Sequence, residues 1–170
     1  MTTFLNIWRF LTIMIIVLSL GPALAHLYEL PAKIAFEGEL WLELLQRLYP
    51  PAFGTAGAFF EVAGVVSAVV LAVLVRHRRP TFAWTLAGAL LLAASHAAFW
   101  IWVAPVNAAM VRLTAETLPA NWSALRDQWE YAHAARAVLQ LLGLGAIVMS
   151  LVLETPGATG QYERHRTVLK

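Results

Sequence analysis

The chain has 170 residues, 60% of them hydrophobic and 13% charged, with no cysteine and a formal charge of +2. Soluble domains carry roughly twice that share of charge, so the composition excludes an ordinary water-soluble fold and indicates one integral membrane domain spanning residues 1–170. The lack of cysteine excludes disulfides, thiolate metal sites, thiol relays and covalently attached c-type haem. The basic residues flank apolar runs instead of forming a stripe, so no nucleic acid is expected as a partner.

Four stretches are long enough to cross a hydrocarbon layer of ~30 Å, which takes roughly 20 helical residues. They predict an all-α fold, a four-transmembrane-helix bundle with spans over 10–27, 53–75, 82–103 and 123–153 and a tail over 154–170. The first span follows Arg9 and ends in "ALAHLYELPAK". Arg9, the apolar run and Ala23-Leu24-Ala25 before His26 also imitate a secretory signal with its cleavage site. Cleavage there would leave His26 as an N-terminal amine and imidazole, a pair suited to copper; a retained helix is the expectation adopted.

Between the first two spans, "GELWLELLQRLYP" reads as a short amphipathic helix on the outer membrane face, with Trp41 and Tyr49 at headgroup depth and Pro50 and Pro51 ending it. In the second span, "GAFFEVAGVV" places Glu61 far from any charge in sequence. Such a carboxyl pairs across helices, with His26, His133 or Arg136, or binds a ligand, or stays protonated. The loop "RHRRP" then joins the second and third spans, and short basic loops stay cytoplasmic. Arg9, Arg164, Arg166 and Lys170 fall on its side under a four-span count, so both termini are expected in the cytoplasm, at the inner membrane if the source is bacterial. In the third span His96 reads as a packing residue, and Trp100 and Trp102 as interfacial anchors.

The fourth span opens on "RDQWEYAHAAR". Arg126, Trp129, Glu130, His133, Arg136 and Gln140 step i, i+3, i+4, i+7 and share one helix face otherwise made of Ala, Leu and Val. Arg136 reads either as a group reaching back to water or as part of a protected site. Asn121 or Ser123 is placed to cap this helix, with Asp127 and Glu130 early in it, where negative charge suits the helix dipole.

In this topology His26, Glu29, Glu61, His96, Glu130 and His133 fall at similar depth near the outer side. Ionisable groups in a membrane span cost roughly 2.5–3.5 kcal/mol each on insertion scales, so they usually face the bundle interior and mark function. Three chemistries fit the set. His26, Glu29, Glu61, Glu130 and His133 are candidate metal ligands, because Glu and His at i, i+3 on facing helices hold metals in di-iron bundles. His26, His96 and His133 are the intramembrane candidates for haem. In the third chemistry a His or Glu base deprotonates an apolar, acidic substrate arriving from lipid, and the carbanion reacts with oxygen directly.

The segments "AHLYELPAKI", "QRLYPPAFGTAG", "WVAPVNAAM" and "LPANWSALRDQWEYAHAARAVL", in that order, resemble the small four-helix membrane family that contains the anthrone oxygenases, most of whose bacterial members are domains of unknown function. The resemblance covers about 26–153, and its most specific part is Pro105 and Asn107 followed by Trp129, His133 and Arg136. It implies four membrane helices and oxidation of an anthrone-like polycyclic phenol to a quinone without an obligatory cofactor. Carried over by position, the motif residues are His26, Glu29, Pro31, Lys33, Pro105, Asn107, Trp129, Glu130, His133 and Arg136.

The leading expectation is therefore an oxygenase-like membrane enzyme for a small apolar substrate. His133 serves as general base or metal ligand, Asn107 donates to the developing phenolate, Arg136 supplies positive charge and Glu130 belongs to the same catalytic group. His26, Glu29, Lys33, Glu61 and Trp129 form the pocket. Iron, copper or haem and assembly into a homo-oligomer stay open, and the bilayer is the obligatory surrounding. The rivals are a His/Glu metal- or haem-binding redox protein and a non-catalytic accessory subunit whose polar groups fix helix register. A transporter fits four spans without an internal repeat poorly. The accessory subunit predicts a closed interior; an enzyme predicts a pocket of at least ~300 Å³.

Overall fold

A computed structural model describes residues 2–49 and 53–154, and among them every regular element is helical. The pair Pro50 and Pro51 and the tail beyond residue 154, with Arg164, Arg166 and Lys170, lie outside the described residues. The elements are α1 (Thr2–Lys33), α2 (Gly38–Arg47), α3 (Ala56–Leu74), α4 (Arg79–Ala98), a π-helical turn (Phe99–Val103), α5 (Ala104–Met110), a short 3₁₀ turn (Ala115–Thr117) and α6 (Trp122–Val152). Four helical runs, Thr3–Lys33, Ala56–Leu74, Arg79–Met110 and Trp122–Val152, are long and apolar enough to span a membrane. The protein is an integral membrane four-helix bundle with a short helix between spans one and two.

The first and third spans are longer than the apolar stretches that mark them in the sequence. α1 has 32 residues, about 48 Å at ~1.5 Å per residue. It continues past Leu27 because His26, Glu29 and Lys33, at i, i+3 and i+7, turn toward the bundle, where His26 and Lys33 are buried. The third run continues through the π-helical turn into α5. Pro105 brings no N–H to the ladder, and just before it the helix widens, Ala104 N–H bonding back to Phe99 O. The carbonyl of Trp102 accepts from Gln128 Nε2 at 2.9 Å.

The four long runs close a ring in which α6 packs on α1 and α4, and α3 packs on the same two helices from the other side. Small residues let α4 and α6 approach closely: a Cβ added at Gly88 would lie 2.9 Å from the carbonyl oxygen of Gly143. Below this crossing the core is apolar, with Ile16, Leu71, Val75, Leu92 and Ile147 buried together. At that end Arg9 and Arg78 both reach Glu154 Oε2 (2.9 Å from Arg78). The outward faces are lined with exposed apolar side chains such as Phe10, Phe59 and Leu90.

The opposite end is closed by α2. This helix is amphipathic as expected, but Trp41 and Tyr49 face protein instead of lipid headgroups: Trp41 is 0% exposed and Tyr49 6%. They pack with Leu42, Leu45, Val106, Met110 and Trp129 in a second core. Gln46 Nε2 fastens the helix by donating to the carbonyls of Met110 (2.8 Å) and Leu113 (2.9 Å). Gly38 permits the fit, since a Cβ there would lie 2.4 Å from Leu118 Cδ2. Of the two candidate caps of α6, Asn121 occupies the N-cap position, without a side-chain hydrogen bond.

Candidate functional site

The site lies between the two cores, where the polar faces of α1, α3, α4 and α6 meet under α2. Its centre is a pair of imidazoles. His26 of α1 and His133 of α6 stack with ring centroids 4.1 Å apart and planes inclined by 25°. Each ring meets a cation through Nδ1: Lys33 Nζ is 3.2 Å from His26 Nδ1, and Arg136 Nη1 is 3.2 Å from His133 Nδ1. An ammonium or guanidinium can only donate, so Nδ1 is the acceptor in both rings and the ring proton sits on Nε2.

Lys33 is 2% exposed. Its ammonium also stands 2.8 Å from Glu130 Oε2, in ion-pair contact rather than an aligned hydrogen bond, and 3.4 Å from Glu29 Oε2. Glu130, 0% exposed, accepts a hydrogen bond at Oε1 from Trp41 Nε1 at 3.0 Å. The Lys33 ammonium also lies over the rings of Tyr49 (4.9 Å) and Trp129 (5.1 Å). Tyr49 donates to Glu29 Oε2 at 2.8 Å. Burial, then the Glu29 hydrogen bond, raise the phenol of Tyr49 above its ordinary range, so it stays a donor.

Arg136 is 5% exposed and does not reach back to water. Its guanidinium spends three nitrogens in three directions: Nη2 to Glu61 Oε2 (2.6 Å), Nη1 to His133 and Nε to the Ser95 carbonyl (3.1 Å). Of the partners open to Glu61, Arg136 is the one it takes, and its other oxygen stands 3.2 Å from His96 Nδ1. Below, Gln140 ties α6 to Ser19 of α1 and Ser95 of α4, each at 3.2 Å.

A cavity of about 590 Å³ opens beside this cluster. His26, Tyr49, Glu61, His96, Asn107, Trp129, His133 and Arg136 bring it polar groups, and Phe53, Phe99 and Trp100 give it flat apolar surface. Asn107 Oδ1 accepts from Trp129 Nε1 at 2.7 Å, which leaves the Asn107 amide nitrogen to donate. Glu29, Lys33 and Glu130 do not reach the cavity and hold its lining from behind. Arg126 is elsewhere, donating to Asp127 and to the Phe36 carbonyl.

The sequence-expected residues thus divide. His26, Glu61, Asn107, Trp129, His133 and Arg136 line the cavity, whereas Glu29, Lys33 and Glu130 support it. The arrangement favours His133 as a donor rather than as a base or metal ligand, because Arg136 occupies the lone pair at Nδ1 and Nε2 then carries the proton. That buried Nε2 has no hydrogen-bond partner among the described residues. The expected metal set is not gathered: among the described residues no group of three His, Cys, Asp or Glu is placed to hold an ion, and the Glu61 and Glu130 carboxylates are taken by Arg136 and Lys33. The stacked His26 and His133 leave no space for a porphyrin between them. Sequence reasoning placed Trp41 and Tyr49 in the headgroups and His96 in packing; the stripe Trp41, Leu42, Leu45, Tyr49 marks the buried face of α2 without telling whether lipid or protein covers it.

Fold and site together define a class: an integral membrane four-helix bundle with buried ion pairs and imidazoles beside a cavity of about 590 Å³. Comparison of the chain with known protein families, with curated proteins and with solved structures finds no match in any of the three.

Proposed function

We propose that the protein is a membrane-embedded, oxygenase-like enzyme that oxidises an apolar polycyclic phenol of the anthrone class in this cavity. The observation that carries the reading is the cavity itself: about 590 Å³, within the range of ~300–1,000 Å³ that receives ligands of that size, and an accessory bundle would have been closed. Its flat aromatic surfaces suit a fused-ring ligand, and its N–H groups converge from several helices. Arg136, the Asn107 amide and the Nε2–H of His133 are the donors for an oxygen that gains negative charge as the substrate loses a proton. Glu130, Lys33 and Glu29 keep the imidazoles and Tyr49 in place.

In the proposed reaction the deprotonated substrate reacts with dioxygen; one oxygen atom becomes the new quinone carbonyl and the other leaves as water with the two hydrogens lost from the ring carbon. The residues present act by binding, orienting and stabilising charge. We place the cavity end of the bundle on the outer face and the Arg76–Arg79 loop in the cytoplasm, following the excess of basic residues on that loop. The test is dioxygen uptake and quinone formation from anthrone by the full chain in lipid vesicles. Wild type turns over, while His133→Ala and Asn107→Ala fall about 10²-fold or more, the usual loss for one oxyanion donor; equal rates in protein-containing and empty vesicles would overturn the reading.

A further inference from the structure

His96 borders the cavity, and the sequence offers it as a packing residue or a haem ligand, not as a base. It sits on α4 one turn before Trp100, and its two nitrogens are engaged from opposite sides. Nε2 lies 3.1 Å from the indole nitrogen of Trp100, and Nδ1 lies 3.2 Å from Glu61 Oε1. An indole N–H can only donate. Nε2 therefore holds a lone pair, and Nδ1 carries the proton and donates to the carboxylate. His96 is the reverse of His26 and His133, whose Nδ1 atoms accept from cations. Of the three cavity imidazoles it alone directs a basic nitrogen away from its carboxylate partner, the orientation by which a buried carboxylate readies a histidine to take a proton. Trp100, the group covering that lone pair, is 63% exposed at the cavity mouth on the π-helical turn, where displacing it disturbs no core.

We propose that His96 is the general base of the cavity, with Glu61 as its orienting carboxylate and Trp100 as a displaceable cap on its lone pair, and that the ligand it serves is an apolar molecule with an acidic O–H. The inference rests on the reading above that the cavity receives such a ligand. In the step, Trp100 N–H leaves Nε2, the ligand O–H bond breaks as an N–H bond forms at Nε2, and the electron pair stays on the ligand oxygen. No electron is transferred to or from the protein. The imidazolium keeps its Nδ1–H on Glu61 and balances the new anion. The charged and titratable groups that face this pair are Glu61 from α3, Arg136 and His133 from α6 and His26 from α1, and Arg136 fixes the carboxylate through its other oxygen.

The test uses 4-phenylazophenol, an apolar phenol whose anion absorbs in the visible, with the full chain in neutral lipid vesicles. Quenching of tryptophan fluorescence reports binding; the anion band, followed against pH, reports ionisation of the bound probe. On wild type the ionisation midpoint is expected about one unit below that in empty vesicles, a tenfold change in the ionisation constant. His96→Gln returns the midpoint to the lipid value. Trp100→Phe, which removes the capping N–H from an exposed position, lowers it further. A His96→Gln protein that still lowers the midpoint overturns the base assignment while leaving the cavity reading intact, whereas a wild type that neither binds nor ionises the probe overturns the cavity reading itself. Should His96→Gln fail to fold or to bind, Trp100→Phe decides, and a midpoint unchanged or raised from wild type rejects the proposal.

Discussion

His26 and His133 stack 4.1 Å apart, each accepting at Nδ1 from a cation, Lys33 on one side and Arg136 on the other, both at 3.2 Å. Neither ring can carry a second proton and keep that contact, so the pair is a neutral layer between two buried positive charges. The carboxylates of Glu130 and Glu61 stand beyond the cations, at 2.8 Å and 2.6 Å. Charge thus alternates across the upper bundle, each buried cation lying between a neutral imidazole and a carboxylate.

Breaking the inner ion pair is the sharpest test of it. Lys33→Met and Glu130→Gln each leave a buried group facing an uncompensated partner, and each is expected to cost about 3–5 kcal/mol. The double variant removes both charges and recovers a large part of that loss. Thermal unfolding in detergent of the two single variants and the double, as a double-mutant cycle, measures the coupling; strictly additive losses would show that the two charges do not support each other.

Arg136→Lys keeps the charge and loses the fork. One ammonium cannot reach Glu61, His133 and the Ser95 carbonyl along the three directions the guanidinium uses. The expected outcome is a stability loss of about 1–3 kcal/mol together with loss of the activity proposed for the cavity. Wild-type behaviour of this variant would mean that charge alone suffices.

The α4–α6 crossing should tolerate no added methyl group. Gly88→Ala puts a Cβ 2.9 Å from a backbone carbonyl and from Ile147, and the helices must separate, at about 1–3 kcal/mol. Gly145→Ala, on the same helix as Gly143 but with nothing within 4 Å of the new atom, serves as control and is expected to be near neutral. Unfolding midpoints of the two variants compare them directly.

At the other end, Glu154 sets a pH dependence. Partial burial pushes its carboxyl up, but the hydrogen bond from Arg9, with one from Thr81 and the charges of Arg9 and Arg78, outweighs this and leaves it below the ordinary 4.5. A carboxyl depressed in the folded state stabilises fully above its unfolded value, and that contribution disappears as pH falls through the folded value. Unfolding measured from pH 7 down to about pH 3 should show wild type losing about 1 kcal/mol or less, as suits a partly exposed pair. Glu154→Gln should lack this component of the slope. A wild type and variant with parallel profiles would remove Glu154 from the account.

Much of the architecture was legible because membrane spans announce themselves by length and apolarity. The stripe from Trp129 to Gln140 correctly named the inward face of α6, and of the three fates open to Glu61 in the sequence, pairing across helices is the one the fold shows, with Arg136. What periodicity cannot give is the identity of the surface a face meets. The apolar side of α2 satisfies the same pattern whether it lies on lipid or on protein, so Trp41 and Tyr49 gave no sign that they are buried against Trp129. Spacing likewise places Glu29, Lys33 and Glu130 near His26 and His133 without telling which of them reaches the cavity. The direction of each ring proton depends on which donors reach the ring, and that is why the sequence leaves His133 as base or metal ligand, whereas the Arg136 contact at its Nδ1 puts the ring proton on Nε2.

The most direct test of the cavity as the place of reaction is to fill it. Gly57 borders it, and a Cβ there would meet only Phe53 Cβ, at 3.8 Å, so Gly57→Phe starts a side chain at the cavity wall without a clash at Cβ. Dioxygen uptake with anthrone is then measured on vesicles holding equal amounts of folded wild type and Gly57→Phe. Turnover by wild type and none by the filled variant, with unchanged unfolding midpoints, is the expected result; equal turnover by both would place the reaction outside this cavity.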